Sequence, residues 1–295
     1  MADVTSDEPT LANMQYRVVK PLGEGAGSTV LLIADKTRGG KRYALKVVKR
    51  QDSDDDIYID QAKTEWEVAQ KLKHPAIVRI YDCRVKKSFF KVSGVELLME
   101  YVEGRTLEEL LSGEGRRPDM GNLVLIFCQV ASGLTTMHRR GVYHGDLKPG
   151  NIMLTRDGKV KLIDLGTAWI KGRDKNRIQG TPQYIAPETV ENKVVDEKSD
   201  LYNLGATMYR MFTGRYANQG PPKAGDVSKG SKLPPPMQID PKIPGTLNET
   251  IVACLDMNPD RRPAGVFEVK NQLEAVAKYL GLSEADLKGS EEEEE

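Results

Sequence analysis

The pattern of apolar and polar positions changes character once along the chain. Up to about residue 101 the apolar positions come in short runs that alternate or cluster over four to seven residues. Residues 16–20, 30–34 and 42–48 read as strands, with Gly39-Gly40 turning between the second and third. An acidic stretch at 52–56 then precedes Ala62, Trp66, Ala69 and Leu72, whose spacing of three and four predicts a helix. Two further strands are predicted near 77–85 and 88–101. Beyond Gly104 the period lengthens. Leu123, Phe127, Val130, Leu134 and Met137 mark one face of a long helix, and further helices are predicted near 199–213, 246–257 and 264–280. A hairpin interrupts them, with runs at 152–154 and 159–163 turning at Asp157-Gly158. Residues 215–247 are rich in proline and read as loop. The pattern therefore predicts an α+β fold: an N-terminal antiparallel sheet with one helix, then a larger helical part, with the boundary near 102–105. Residues 1–14 read as disordered and 281–295 as an acidic, solvated tail.

Composition narrows the class. A length of 295 residues suits two domains or one two-lobed domain. No run of about eighteen apolar residues appears, so no membrane span is expected. The acidic N-terminus lacks the apolar core of a secretory signal. Lys+Arg 43 against Asp+Glu 43 gives zero net charge, which argues against a general nucleic-acid-binding surface. Cys83, Cys128 and Cys254 are scattered without metal spacing and fit a reduced, cytoplasmic protein.

Candidate chemistry concentrates in His144-Gly145-Asp146-Leu147-Lys148-Pro149-Gly150-Asn151. The hairpin that follows returns a second acid, Asp164. A carboxylate to orient a hydroxyl, a lysine near the moving phosphate and two oxygen ligands for Mg²⁺ are what phosphoryl transfer needs. Upstream, Leu22-Gly23-Glu24-Gly25-Ala26-Gly27-Ser28-Thr29-Val30 joins the first two strands, and its glycines let backbone amides approach phosphate oxygens. Lys46 shares a strand face with the small Ala44, which suits a planar ligand with phosphates. A lysine at a phosphate site needs a carboxylate to fix it. Glu65 and Glu67 lie about 200° apart around the helix, and Glu65 is chosen because it sits beside Ala62, Trp66 and Ala69. Taken singly, His138 and His144 read as packing residues, Cys128 as core and Asp200 as a helix N-cap.

In conjunction, these motifs resemble the Hanks-type, eukaryotic-like serine/threonine protein kinases, over residues 15–280. The resemblance implies the two-lobed kinase fold, with an N-lobe over 15–102 and a C-lobe over 103–280, and a bacterial origin. It implies ATP in the lobe cleft, held by Leu22, Gly23, Glu24, Gly25, Ala26, Gly27, Ser28, Val30, Ala44 and Lys46. Met99 stands at the gatekeeper position, and adenine lies against the backbone of Glu100 and Val102. Asp146 becomes the catalytic base and Lys148 a γ-phosphate contact. Asn151 and Asp164 hold Mg²⁺, with Mn²⁺ as a possible substitute. Asp164-Leu165-Gly166 replaces the family's Asp-Phe-Gly. Ala186-Pro187-Glu188 closes the activation segment, Glu188 pairs with Arg262, and Asp200 anchors the catalytic loop. Lys148-Pro149-Gly150-Asn151 and Thr181 match the serine/threonine form, so the implied partner is a protein carrying Ser or Thr hydroxyls. Two departures stand out: Ser28 replaces the third glycine of the loop, and Gly145 replaces the arginine that grips an activation-loop phosphate in regulated members. Residues 169–179 contain no serine, threonine or tyrosine, so activation-loop phosphorylation is not expected to be required. The alternatives are a pseudokinase scaffold and a small-molecule kinase of the aminoglycoside type. The first is disfavoured by the complete residue set, the second by the segments around Glu188 and Asp200.

Overall fold

The computed structural model describes all residues except 1–7, 26, 51, 53–54, 89–90, 114, 116, 174–178, 193–194, 219–232 and 287–295. The chain divides into two units: Met1–Lys73 with Val78–Val102, and His74–Ile77 with Glu103–Glu295.

The first unit is built on a five-stranded antiparallel sheet: β1 (Tyr16–Gly25), β2 (Ser28–Asp35), β3 (Lys41–Lys49), β4 (Ile80–Ser88) and β5 (Lys91–Glu100), in the order β1-β2-β3-β5-β4. Register sets Lys46 opposite Val30 and Leu97, and Ala44 opposite Leu32 and Met99. Because side chains alternate, these residues share one sheet face. Ile33, Tyr43, Leu45 and Leu98 point to the other and form a core cluster there.

Leu11 and Met14 complete that cluster, at 3% and 9% exposure. The Leu11 N–H donates to Asp82 Oδ2 at 2.6 Å, and Arg84 donates to the Leu11 carbonyl. The expectation of disorder over 1–14 is therefore corrected for residues 8–14; residues 1–7 lie outside the described residues. Two buried apolar side chains and two bonds to β4 offset the entropy of ordering a short segment.

Helix α1 (Asp56–Lys71) buries Ile59, Ala62, Glu65 and Val68. The stripe is rotated from the predicted one: Trp66 and Ala69 are half-buried, and Leu72 is the extended C-cap. An i, i+3 row with a charged residue in its middle hides from a purely apolar count.

The strand predicted near 77–85 begins at Ile80, and residues 74–77 belong to the second unit. Ile77 instead bridges Leu162, and the Leu162 N–H donates to Ala76 O at 2.8 Å. Helix α3 (Met120–Arg139) starts at Asp119, whose side chain accepts from the Asn122 N–H. By length and composition it passes as a helix long and apolar enough to cross a membrane, a test that the buried core helix of a soluble protein also passes. Its Val124, Ile126, Phe127, Val130, Leu134 and Met137 are fully buried, as in a core helix. The unit also holds β6 (Gly104–Thr106), α2 (Leu107–Leu111), β7 (Val142–Tyr143), β8 (Ile152–Thr155), β9 (Val160–Leu162), β10 (Trp169–Ile170), α4 (Pro187–Asn192), α5 (Glu197–Thr213), α6 (Pro236–Ile239), α7 (Gly245–Cys254) and α8 (Val266–Tyr279). Strands β6, β8 and β9 form a small sheet, and β10 pairs with β7. The β8–β9 turn falls at Asp157-Gly158, where Gly158 has φ 76°.

Candidate active site

In the first unit, Gly25 and Ser28 are register partners, so the glycine-rich turn is a tight hairpin. Ala26 lies outside the described residues. Gly27 has φ +72°, and a Cβ there would come within 2.1 Å of Tyr58 Cδ2. Glycine is required twice, by conformation and by the tyrosine ring lying on it. Leu22, Gly23, Glu24 and Gly25 are exposed along β1.

On the sheet face already described, Lys46 Nζ lies 2.8 Å from Glu65 Oε2, with side-chain exposures of 17% and 0%. Glu67 faces Lys71 at 3.9 Å instead. Met99 is buried on the same face. The Glu100 N–H donates to Arg79 O at 2.8 Å, so that N–H is spent within the unit. Val102 is half-buried and ends the unit.

In the second unit, Asp146 is held from three directions. Thr181 N–H donates to its Oδ1 at 2.7 Å, Lys148 Nζ stands 3.0 Å from its Oδ2, and Asn151 Nδ2 donates to its carbonyl at 2.8 Å. Lys148 also donates to Thr181 Oγ1 at 2.7 Å. The carboxylate, the ammonium and the threonine thus form a closed triangle. Asn151 O accepts from the Ile163 N–H at 2.9 Å, tying the loop to the strand end that delivers Asp164. Asp164 has φ 62°, the one positive value at a non-glycine among the described residues. Such backbone strain persists only where the surroundings over-determine it.

Asp200 supports this loop from α5. It is fully buried and accepts from the His144 N–H at 2.7 Å, the Gly145 N–H at 2.8 Å and His138 Nε2 at 2.8 Å. The helix cap is Asp196, whose side chain accepts from the N–H groups of Lys198 and Ser199, which frees Asp200 for the loop. Burial opposes charge on His138, but hydrogen bonds to Asp200 and Glu197 outweigh it and lift the imidazole to about 9. Burial raises the cysteines, Cys83 to about 11 and Cys128 and Cys254 to about 12, leaving inert thiols.

The activation segment is tied down along its described length. Trp169 and Ile170 pair with Tyr143 and Val142. Glu188 accepts both terminal nitrogens of Arg262, at 2.7 and 2.9 Å, and also the Ser199 hydroxyl at 3.1 Å. Asn203 Nδ2 donates to Tyr184 O at 2.6 Å. Gly145 has φ +75°, and a Cβ there would meet Thr167 O at 2.9 Å. Glycine at this position is a backbone requirement of this loop. Residues 174–178 lie outside the described residues.

Sequence reasoning missed Tyr58, Ser199 and Asn203. The hydroxyl of Ser199, three residues from the Asp196 cap, was the nearest thing to a signal. A metal ion fits the donor set of the loop. Asn151 spends its amide N–H on Asp146 O, which leaves its carbonyl oxygen as a ligand, and Asp164 supplies a carboxylate. Among the described residues no group of three or more His, Cys, Asp or Glu gathers as a cage. Hard oxygen donors in small number suit Mg²⁺ held jointly with phosphate oxygens.

Residues 16–273 match the family model described as protein kinase domain. A probable serine/threonine-protein kinase of Streptomyces coelicolor is 32% identical over 282 residues, covering 91% of this chain and 41% of that protein. A serine/threonine-protein kinase of Corynebacterium glutamicum is 32% identical over 261 residues, covering 85% of this chain and 54% of its own. One from Mycobacterium tuberculosis is 30% identical over 288 residues, covering 94% and 69%. The chain thus spans about half the length, or less, of the first two. With the family model matched over most of the chain and the loop geometry above, the chain belongs to the protein kinase domain family.

Proposed function

We propose that the chain is a serine/threonine protein kinase that transfers the γ-phosphate of ATP to protein hydroxyls. The observation that carries this reading is the Asp146–Lys148–Thr181 triangle. With Oδ1 fixed by Thr181 and Oδ2 beside the lysine, the Asp146 carboxylate is aimed and ready to accept a hydrogen bond from an incoming hydroxyl. Lys148 places a positive charge where a transferring phosphoryl group carries its negative charge. Family membership implies ATP and a divalent metal ion. Mg²⁺ is the ion proposed, with Asn151 and Asp164 holding it, and it would neutralise phosphate charge. In the first unit, Glu65 fixes Lys46 for a phosphate contact. Thr181, drawn in by both Asp146 and Lys148, supports a short hydroxyl side chain as acceptor. The need for ATP and the three free thiols support a cytoplasmic location.

The same reading holds that phosphorylation of the activation loop is not required. Gly145 provides no cation for a phosphate, residues 169–179 offer no hydroxyl, and the segment ends are anchored by Arg262, Ser199 and Asn203. The test of function is incubation with MgATP and a generic protein substrate, with phosphate located by mass spectrometry. Phosphate on serine or threonine is the expected result. Nucleotide binding without any transfer would instead establish a scaffold.

A further inference from the structure

Besides the Lys46–Glu65 ion pair, α1 makes a contact that the chemistry above does not use. At its first turn the half-buried Tyr58 lays its ring on Gly27, the second residue of the two-residue turn between β1 and β2. The approach is so close that a Cβ on Gly27 would overlap three ring carbons, at 2.1, 2.3 and 2.7 Å. Tyr58 and Glu65 are seven residues apart, which sets them within about 20° of each other around the helix and about 10 Å apart along it. One helix face therefore carries both the carboxylate that fixes Lys46 and the ring that lies on the glycine-rich turn. The start of α1 is itself held: Asp56 pairs with Arg50 at 2.9 Å, and the Arg50 N–H donates to Ser93 O on β5 at 3.0 Å. The ring also accounts for a departure in the motif. The third glycine of the loop stands one place early, at Gly27, and that is the residue on which Tyr58 lies.

We propose that Tyr58 is a positioning residue for the nucleotide: its ring holds the glycine-rich turn on α1, so that the loop's backbone amides are in place for the phosphates before ATP arrives. This rests on the kinase reading above. A glycine-rich turn gives up much conformational freedom when it is ordered. A ring already packed on its backbone removes part of that freedom in advance, and more of the binding free energy then shows as affinity. The contact is made by ring carbons, so phenylalanine should serve in place of tyrosine and alanine should not.

The test compares MgATP with adenosine, which lacks the phosphates that the loop would hold, by calorimetry on the wild type and on Tyr58 variants. Tyr58→Ala should raise the Kd for MgATP about tenfold, or about 1.4 kcal/mol, and leave that for adenosine within about twofold. Tyr58→Phe should bind both like the wild type. A merely structural Tyr58 would weaken both ligands by one common factor, and that result would overturn the inference. So would an unchanged MgATP affinity in Tyr58→Ala. Tighter MgATP binding by that variant would overturn it too, since the ring would then be an obstacle to the phosphates. If Tyr58→Ala does not fold by circular dichroism, Tyr58→Leu, which keeps apolar bulk without the flat ring, is judged by the same comparison. Each of these outcomes leaves the kinase reading intact. Absence of MgATP binding by the wild type would defeat that reading and the inference together.

Discussion

Gly145 shows how one residue can carry both structure and regulation. At φ +75°, with Thr167 O 2.9 Å from where a Cβ would stand, the position admits no other side chain without strain. Gly145→Arg, which would recreate the phosphate-gripping arginine, should lower stability by about 1–3 kcal/mol, the usual cost of such backbone strain. Thermal unfolding of the variant checks this; an unchanged Tm would show that the loop can relax. His138 carries a pH dependence. Its imidazole rises from an ordinary 6.5 to about 9 through Asp200 and Glu197, against the effect of burial. A folded value above the unfolded one means the stabilisation is complete below pH 6.5 and is lost as pH climbs towards 9. At about 1.4 kcal/mol per unit it amounts to about 3 kcal/mol at most. Denaturation midpoints should therefore fall between pH 7 and 9.5, and His138→Gln should flatten that slope. Among single residues, the gathering of Asp146, Lys148 and Asn151 was legible because they are packed into a short stretch. Tyr58 over Gly27 was not, because tertiary packing alone brings the ring onto the turn.

At the scale of elements, α1 carries the more demanding test. The helix buries Glu65 in the row Ile59, Ala62, Glu65, Val68 and leaves Glu67 beside Lys71. Glu65→Gln should lose most of the activity, since it leaves the partly buried Lys46 without its counter-charge. Glu67→Gln should stay within about twofold of wild type, because a surface i, i+4 pair contributes little. Turnover assays on the two variants, with matched circular dichroism, make the comparison; the reverse ranking would move the role to Glu67. The choice of Glu65 survived although the apolar stripe was misread, because both stripes share Ala62 and flank position 65. The segment 8–14 was illegible for another reason. Two apolar residues spaced three apart in a polar run are too few to signal order, and their burial depends on a sheet face formed by distant strands.

At the scale of the whole chain, the sheet-then-helices division was visible in the change of hydrophobic period. The passage of residues 74–77 to the second unit was not, since it rests on tertiary contacts alone, the Ile77 bridge to Leu162 and the His74 ring against the Ser132 hydroxyl. Regulation belongs at this scale too. Protein treated with phosphatase, and shown by mass spectrometry to be unphosphorylated over 164–188, should keep most of its activity. A large loss that returns on rephosphorylation within that segment would refute independence from loop phosphorylation.

The most direct measurement of the central claim is turnover by Asp146→Asn, set beside its nucleotide binding. The substitution nearly keeps the size of the side chain, removes one of the two acceptor oxygens and removes the carboxylate charge that orients the hydroxyl. Phosphate transfer from MgATP to protein serine or threonine should fall by about two orders of magnitude or more, with nucleotide affinity retained. Transfer at the wild-type rate would contradict the assignment of Asp146, and with it the mechanism built on the Asp146–Lys148–Thr181 triangle.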